Sequence, residues 1–381
     1  MQRLALLGLA TLLAAGCAVT VENSRDEGSA TVSSNDEPWS LTPAAVDSSD
    51  GIRILVLHDM EGLSGQDDWR TFSFGHPEHY ARGQELLVAD VNAVIDGMFA
   101  GGATEVHVVD GHGSGNPEPD VRTDLLDPRA TQIFRDEAFD TYFDIPETSE
   151  YDAVAVVGMH AKTGSAGFAS HTFTLGIEFQ VNGQAITETE LVALSWGRFG
   201  VPVIFASGDD RLAADLATMP WIESVTVKTA TSASTVDLRP VDEAHADLTA
   251  AAERAIMNLD GAQVMQAQLP VHGTLRAVRP ASLASLAGVP NIGYDADSNS
   301  VTFEAENLRE MYDGLVALVA VARAGYTGVL AEQIGALGHA GEINPAYRNA
   351  LFTRWLDVES GRWTPPEASA AGTLQRGHGY R

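Results

Sequence analysis

The sequence predicts an α/β protein: a three-layer, mostly parallel sheet with flanking helices, plus a smaller C-terminal α+β domain. Three observations carry that prediction. Short β-branched apolar runs recur at Ile52–Leu57, Val106–Val109, Val154–Val157 and Val201–Ala206, each with the length and composition of a buried strand. Between them lie segments with apolar residues at helical spacing, such as Leu86, Leu87, Val91, Val94, Ile95 and Met98 within Tyr80–Phe99. The strand–helix rhythm then changes beyond about residue 262, where shorter elements follow one another.

The elements follow in order. The first helix ends at Gly101-Gly102, a C-terminal stop signal. Phe173–Val181 alternates as a strand, and Asn182-Gly183 is a hairpin-type turn. Thr187-Glu188-Thr189-Glu190 opens a helix that runs to Phe199. A helix at Arg211–Thr218, a strand at Ser224–Lys228 and a helix at Asp242–Asn258 complete a domain spanning 51–262. Strands at Gly273–Val278 and Ser300–Glu304, with helices at Ala281–Leu286 and Asn307–Ala324, define the small α+β unit, 263–326. Residues 327–381 hold one more helical pattern and a Pro/Gly-rich tail.

At 381 residues, with 45% hydrophobic and 20% charged content, the chain is long enough for two domains with proper cores. A formal charge of -29 argues against nucleic acid or an anionic lipid surface as partner, since both are themselves negative. Arg3, the apolar stretch Leu4–Leu13 and Ala14-Ala15-Gly16-Cys17 resemble a bacterial lipoprotein signal over 1–17, too short to span a bilayer. A plain signal peptide cut near Ala15 is the other reading. The expectation is an exported protein, lipid-anchored to the cell envelope through Cys17. Residues 18–50, rich in Ser, Thr, Asp and Glu, read as a disordered tether. Cys17 is the only cysteine, which excludes an internal disulfide or a thiolate metal site.

Three apolar runs end in side chains that bind metals. They lead into His58-Asp59-Met60-Glu61-Gly62, Asp110-Gly111-His112 and Gly158-Met159-His160. The carboxyl ends of strands in open α/β sheets are where catalytic groups gather, so carboxylates and imidazoles there suggest a metal cluster. Asp59 and Glu61 are two apart and project to one side in extended backbone, and hard oxygens beside imidazoles suit Zn²⁺ or a similar first-row ion. The plainer reading is a set of ordinary polar turns. Asp110 reads equally as a turn cap or as a partner orienting the His112 imidazole. His160 and His171 bracket the loop Ala161–Ser170, with His160 assigned to metal and His171 to catalysis. Thr187 with Glu190 matches a capping box, which leaves Glu188 as the freer ligand and Glu190 as the alternate.

Asp59-Met60-Glu61-Gly62, Asp110-Gly111-His112, Gly158-Met159-His160, Ser170-His171, Glu188 ahead of Gly200-Val201-Pro202-Val203, and Gly208-Asp209-Asp210 together resemble a known family. It is the zinc-dependent D-aminopeptidases associated with dipeptide-transport operons, and the resemblance covers roughly residues 52–325. It implies that Asp59, Glu61, His112, His160 and Glu188 hold two zinc ions per subunit, that His171 is the catalytic histidine, and that the protein is a homo-oligomeric ring. Short peptides with an N-terminal D-residue are the implied substrates. Leu57 stands where the family usually carries Ser, and Glu190 and Val192 stand where Gly and Asn are usual. The rival readings are another metal-dependent amide or ester hydrolase, and a non-catalytic peptide-binding lipoprotein.

Overall fold

The β-branched runs do form the middle of a sheet, and helices cover it. The computed structural model describes residues 37–46, 48–73, 76–112, 119–134, 140–148, 150–174, 176–278, 281–323 and 340–360. In chain order the strands are β1 (Trp39–Pro43), β2 (Arg53–His58), β3 (Glu105–Asp110), β4 (Thr131–Gln132) and β5 (Ala153–Val157). Next come β6 (Ile177–Val181), β7 (Gln184–Ala185), β8 (Val203–Asp209), β9 (Glu223–Ser232) and β10 (Thr235–Leu238). The last are β11 (Gln263–Ala267), β12 (Val271–Ala277), β13 (Gly293–Asp295) and β14 (Ser300–Ala305). The helices are α1 (Pro77–Gly101), α2 (Asp144–Thr148), α3 (Glu188–Gly197), α4 (Asp210–Asp215), α5 (Val241–Met257), α6 (Leu308–Arg323) and α7 (Ala340–Glu359).

A seven-stranded sheet runs β10-β9-β8-β5-β2-β3-β4. It is parallel throughout except at the β9–β10 hairpin. Its central strands are buried on both faces, which is why they read as continuous apolar runs. Alternate residues feed two cores. Ile54, Val56, Val108 and Ala155 pack with Val91, Ile95 and Leu248 of α1 and α5. Leu55, Leu57, Val109 and Val154 pack with Leu191, Trp196 and Met311 of α3 and α6. The chain leaves β2 for β3 on one side and later returns with β5 on the other. That makes a topological switch point beside β2, where open α/β sheets hold their ligands.

The expected small domain over 263–326 does not stand apart. A second, antiparallel sheet runs β13-β14-β12-β6-β7, so β12 pairs with β6 from the first half of the chain. The physical reason is coverage: β6 brings Ile177, Phe179 and Val181, and β12 with β14 brings Leu275 and Val301 to the same core. The expected tether over 18–50 is corrected at its C-terminal end, where a strand forms. Trp39–Pro43 pairs antiparallel with β11, and Trp39 is buried in the core. The leader over 1–17, Cys17 and residues 18–36 lie outside the described residues.

Smaller differences follow from packing. Residues 281–286 give only a 3₁₀ turn at Ala284–Leu286, and the helix after β8 tightens into 3₁₀ at Leu216–Thr218. In the C-terminal extension, α7 touches both segments that lead away from β2 and β5. Phe352 stacks on Trp69 at 4.6 Å between ring centroids, His76 Nε2 lies 2.9 Å from Asn349 Oδ1, and Gly164 N donates to Glu359 Oε2 at 3.3 Å. No helix among the described residues is long and apolar enough to cross a membrane.

Candidate metal centre

The pairing of β2 and β5 continues past the strand ends and clamps two ligand-bearing turns together. Asp59 N donates to Val157 O at 2.8 Å, and Gly62 N donates to Gly158 O at 2.7 Å. Glycine is required at 62, because a Cβ there would sit 1.9 Å from Met159 O. The result aims Asp59 and Glu61, each 3% exposed, toward His160 on the neighbouring turn. The end of β3 delivers His112 alongside.

Helix α3 supplies the opposite wall. Thr187 and Glu190 form the capping box: Glu190 N donates to Thr187 Oγ1 at 3.0 Å and Thr187 N donates to Glu190 Oε2 at 2.7 Å. Glu190 also accepts from Thr218 Oγ1 at 2.7 Å, so its carboxylate is engaged outside the cluster. Glu188 instead joins it.

All six residues singled out in the sequence come together as two buried triads. Ligand atoms of Asp59, Glu61 and His112 lie within 4.8 Å of one another, as do those of His160, His171 and Glu188. His112 Nε2 is 3.5 Å from Glu61 Oε1, and His160 Nε2 is 3.4 Å from both Asp59 Oδ2 and Glu188 Oε1. His171 Nε2 is 3.9 Å from Glu188 Oε1, and its ring stacks on His160 at 3.8 Å.

Each imidazole is anchored through Nδ1, which turns Nε2 inward. His160 Nδ1 donates to Ala161 O at 3.0 Å and His171 Nδ1 donates to Ala169 O at 2.7 Å, since a carbonyl can only accept. His112 Nδ1 lies 2.8 Å from Asp120 Oδ2 and 3.2 Å from Tyr80 OH. Glu188 is fixed by the Tyr142 hydroxyl on one oxygen and by Phe173 N, at 2.6 Å, on the other. Asp110 turns out to be a turn cap, accepting from His112 N and Asp120 N at 2.9 Å each. The partner of the His112 ring is Asp120 instead.

The residues present fit a metal. His160 Nε2 is buried with no well-formed hydrogen bond, aimed between two carboxylates, which is an expensive arrangement unless a cation sits there. The electrostatics agree. Burial, then the charge of Glu61, pushes the Asp59 carboxyl up to about 6. Burial works to raise Glu61 too, but His112 overcomes it and holds Glu61 at about 2. Burial opposes charge on His112 and His160, yet Glu61 and Glu188 hold them protonated well above the ordinary histidine range. Burial, then the neighbouring His160 charge, pushes His171 down to about 4, leaving it neutral at physiological pH. Carboxylates that recruit protons onto imidazoles will recruit a divalent cation in their place.

Asp120, Tyr142 and Lys228 carry no signal in the sequence. Asp120 and Tyr142 lie in stretches without periodicity, and only the fold brings them to the site. Lys228 ends an apolar strand pattern but is fully buried, donating from Nζ to Glu61 O at 2.6 Å and Gln66 Oε1 at 2.7 Å, above the Phe168 ring. Gly113-Ser114-Gly115-Asn116 lies outside the described residues.

Comparison with known proteins places this arrangement. Residues 52–317 match peptidase family M55, the D-aminopeptidases. The D-aminopeptidase of Bacillus subtilis (strain 168) is 27% identical over 282 residues, which cover 71% of this chain and 98% of the relative. The solved structure of the Zn-dependent D-aminopeptidase DppA from Bacillus subtilis, described as a self-compartmentalizing protease, shares the fold. Its TM-score is 0.64 at 24% identity, over 71% of this chain and 98% of that one. The matched stretch takes in well over half the sequence and all six site residues, so the chain belongs to the D-aminopeptidase family, and it is an aminopeptidase enzyme.

Proposed function

We propose that this chain is a metal-dependent aminopeptidase with a two-zinc centre, cutting short peptides or amides that carry an N-terminal D-residue. Asp59, Glu61, His112, His160 and Glu188 would hold the ions, and His171 would be the catalytic residue. The observation that carries this reading is the pair of buried triads meeting across the 3.4 Å between Asp59 and His160. Support for D-substrates is the family match and the relative's description.

Bound zinc supplies Lewis acidity, polarising a carbonyl and making water acidic enough to attack near neutral pH. The protein's own residues do the rest. Neutral His171 presents Nε2 to the centre, where it takes a proton during attack and passes it to the departing amine. Glu188, fixed by Tyr142 and Phe173, keeps its position while charge moves. Buried carboxylates suit a substrate's free α-ammonium and disfavour a phosphoester.

His171 also lies within ligand reach of His160 and Glu188, which supports a second reading of it as a ligand. His171→Ala separates the two. The catalytic reading expects zinc content to be kept and turnover of a D-alanine amide to fall by about 10²–10⁴-fold. Zinc lost together with activity assigns it as a ligand, and zinc and turnover both unchanged defeats either role. Turnover of L-alanine amide equal to that of the D-form would remove the D-selectivity. The reading extends to a homo-oligomer, by analogy with the self-compartmentalizing relative, and to an exported enzyme held by a lipid on Cys17, which rests on the leader pattern alone.

A further inference from the structure

We propose that the two halves of the centre bind their cations with unequal strength, and that Asp120 is the positioning residue that sets the inequality. The inference rests on the two-zinc reading of the same site. In the first half, Asp59 and Glu61 offer two carboxylates, and the His112 ring is backed by a third through the 2.8 Å contact from Nδ1 to Asp120 Oδ2. Asp120 is itself held, its backbone N donating to Asp110 Oδ2 at 2.9 Å, and its side chain is buried. A carboxylate behind an imidazole fixes the tautomer and raises the basicity of the opposite nitrogen.

The second half is poorer in what backs its ligands. Glu188 shares His160 with Asp59, which also serves the first half, and its two oxygens already accept from Tyr142 OH and Phe173 N. Those hydrogen bonds draw off density that would otherwise go to a cation. The His160 ring leans through Nδ1 on a neutral carbonyl, Ala161 O. A shared carboxylate, an already engaged one and a less basic imidazole mean weaker hold on a dication. The site of Asp59, Glu61 and His112 therefore fills first and empties last, while that of His160 and Glu188 exchanges.

The test is a zinc titration of the full-length, chelator-stripped protein, followed by calorimetry and by competition with a chromophoric chelator. Two steps of different affinity are expected. Asp120→Asn keeps the shape but removes the charge, and weakens the tight step by about 10–100-fold while leaving the loose step in place. Asp120→Glu restores part of the loss. Glu188→Gln weakens the loose step alone. Far-UV circular dichroism of the metal-free variants checks that they fold, and Tyr80→Phe, which trims the other contact on His112 Nδ1, serves if Asp120→Asn does not. Two steps of equal affinity, or an Asp120→Asn variant that leaves the tight step where it was or weakens both alike, overturns the proposal and leaves the two-zinc reading standing. A single equivalent at saturating zinc sinks that reading, and the proposal with it.

Discussion

The seven-stranded and five-stranded sheets solve different problems. The first is buried on both faces at its centre, where β2 is apolar from Ile54 to Leu57 and β5 is apolar throughout. Chemistry is thereby pushed to the strand tips, where Asp59, Glu61, His112 and His160 sit on turns pinned by backbone hydrogen bonds. The second sheet buries one face and wets the other, so β12 and β14 alternate buried and exposed positions. Its β6–β7 hairpin leads straight into α3 and Glu188, and the segment just before it carries His171. The lesson is that four of the candidate ligands come from dry strand ends, whereas Glu188 and His171 come from the connections between the two sheets and Asp120 from the β3–β4 connection.

Four substitutions sharpen or break that contrast, the largest first. Gly62→Ala forces a Cβ against Met159 O and Gly208, in the turn that follows β2. It should cost about 3 kcal/mol or more and abolish zinc binding, measured by chemical denaturation and metal analysis. Wild-type stability here would show that the strand tips are looser than described.

Lys228→Met removes the amine that donates to Glu61 O and Gln66 Oε1, and should destabilise the metal-free protein by roughly 1–3 kcal/mol at about pH 9. Burial lowers Lys228 to about 7 from 10.5. The stability linked to this group is present above its ordinary value and is lost as pH falls through about 7. The gap between variant and wild type should therefore narrow when the melt is repeated at roughly pH 7. A gap that stays the same at both pH values would mean the amine stays charged in the fold.

Glu190→Ala removes half of the capping box and the contact to Thr218, costing about 1 kcal/mol, yet should leave zinc stoichiometry untouched. Loss of an equivalent would transfer Glu188's role to Glu190. Thr302→Ala, on the wet face of the second sheet, removes a 2.9 Å cross-strand contact with Thr274. About 0.5 kcal/mol or less, with unchanged turnover, is expected from a melt and a rate assay.

Much of this was legible in the sequence, for identifiable reasons. A strand buried on both faces announces itself as an unbroken apolar run, so β2, β3, β5 and β8 were readable, and so were the clustered carboxylates and imidazoles beyond the ends of β2, β3 and β5. The capping box could be read locally, and the structure forms it with Glu190 while Glu188 joins the cluster. What failed to show was long-range pairing. Trp39–Pro43 is five polar-flanked residues whose strand character exists only against β11, and β12 reveals its membership of the β6 sheet through register alone. Asp120 and Tyr142 were illegible for the same reason: nothing near them in the chain marks an acid or a phenol destined to touch a ligand.

The position of α7 has a practical bearing. It begins after the 52–317 family match has ended, yet Phe352 lies over Trp69 and beside Phe72. A clone trimmed to the homologous region would strip that cover and turn an aromatic seam toward water. Such a fragment should clump during purification even with every ligand in place, so poor yield from it would say nothing about the enzyme.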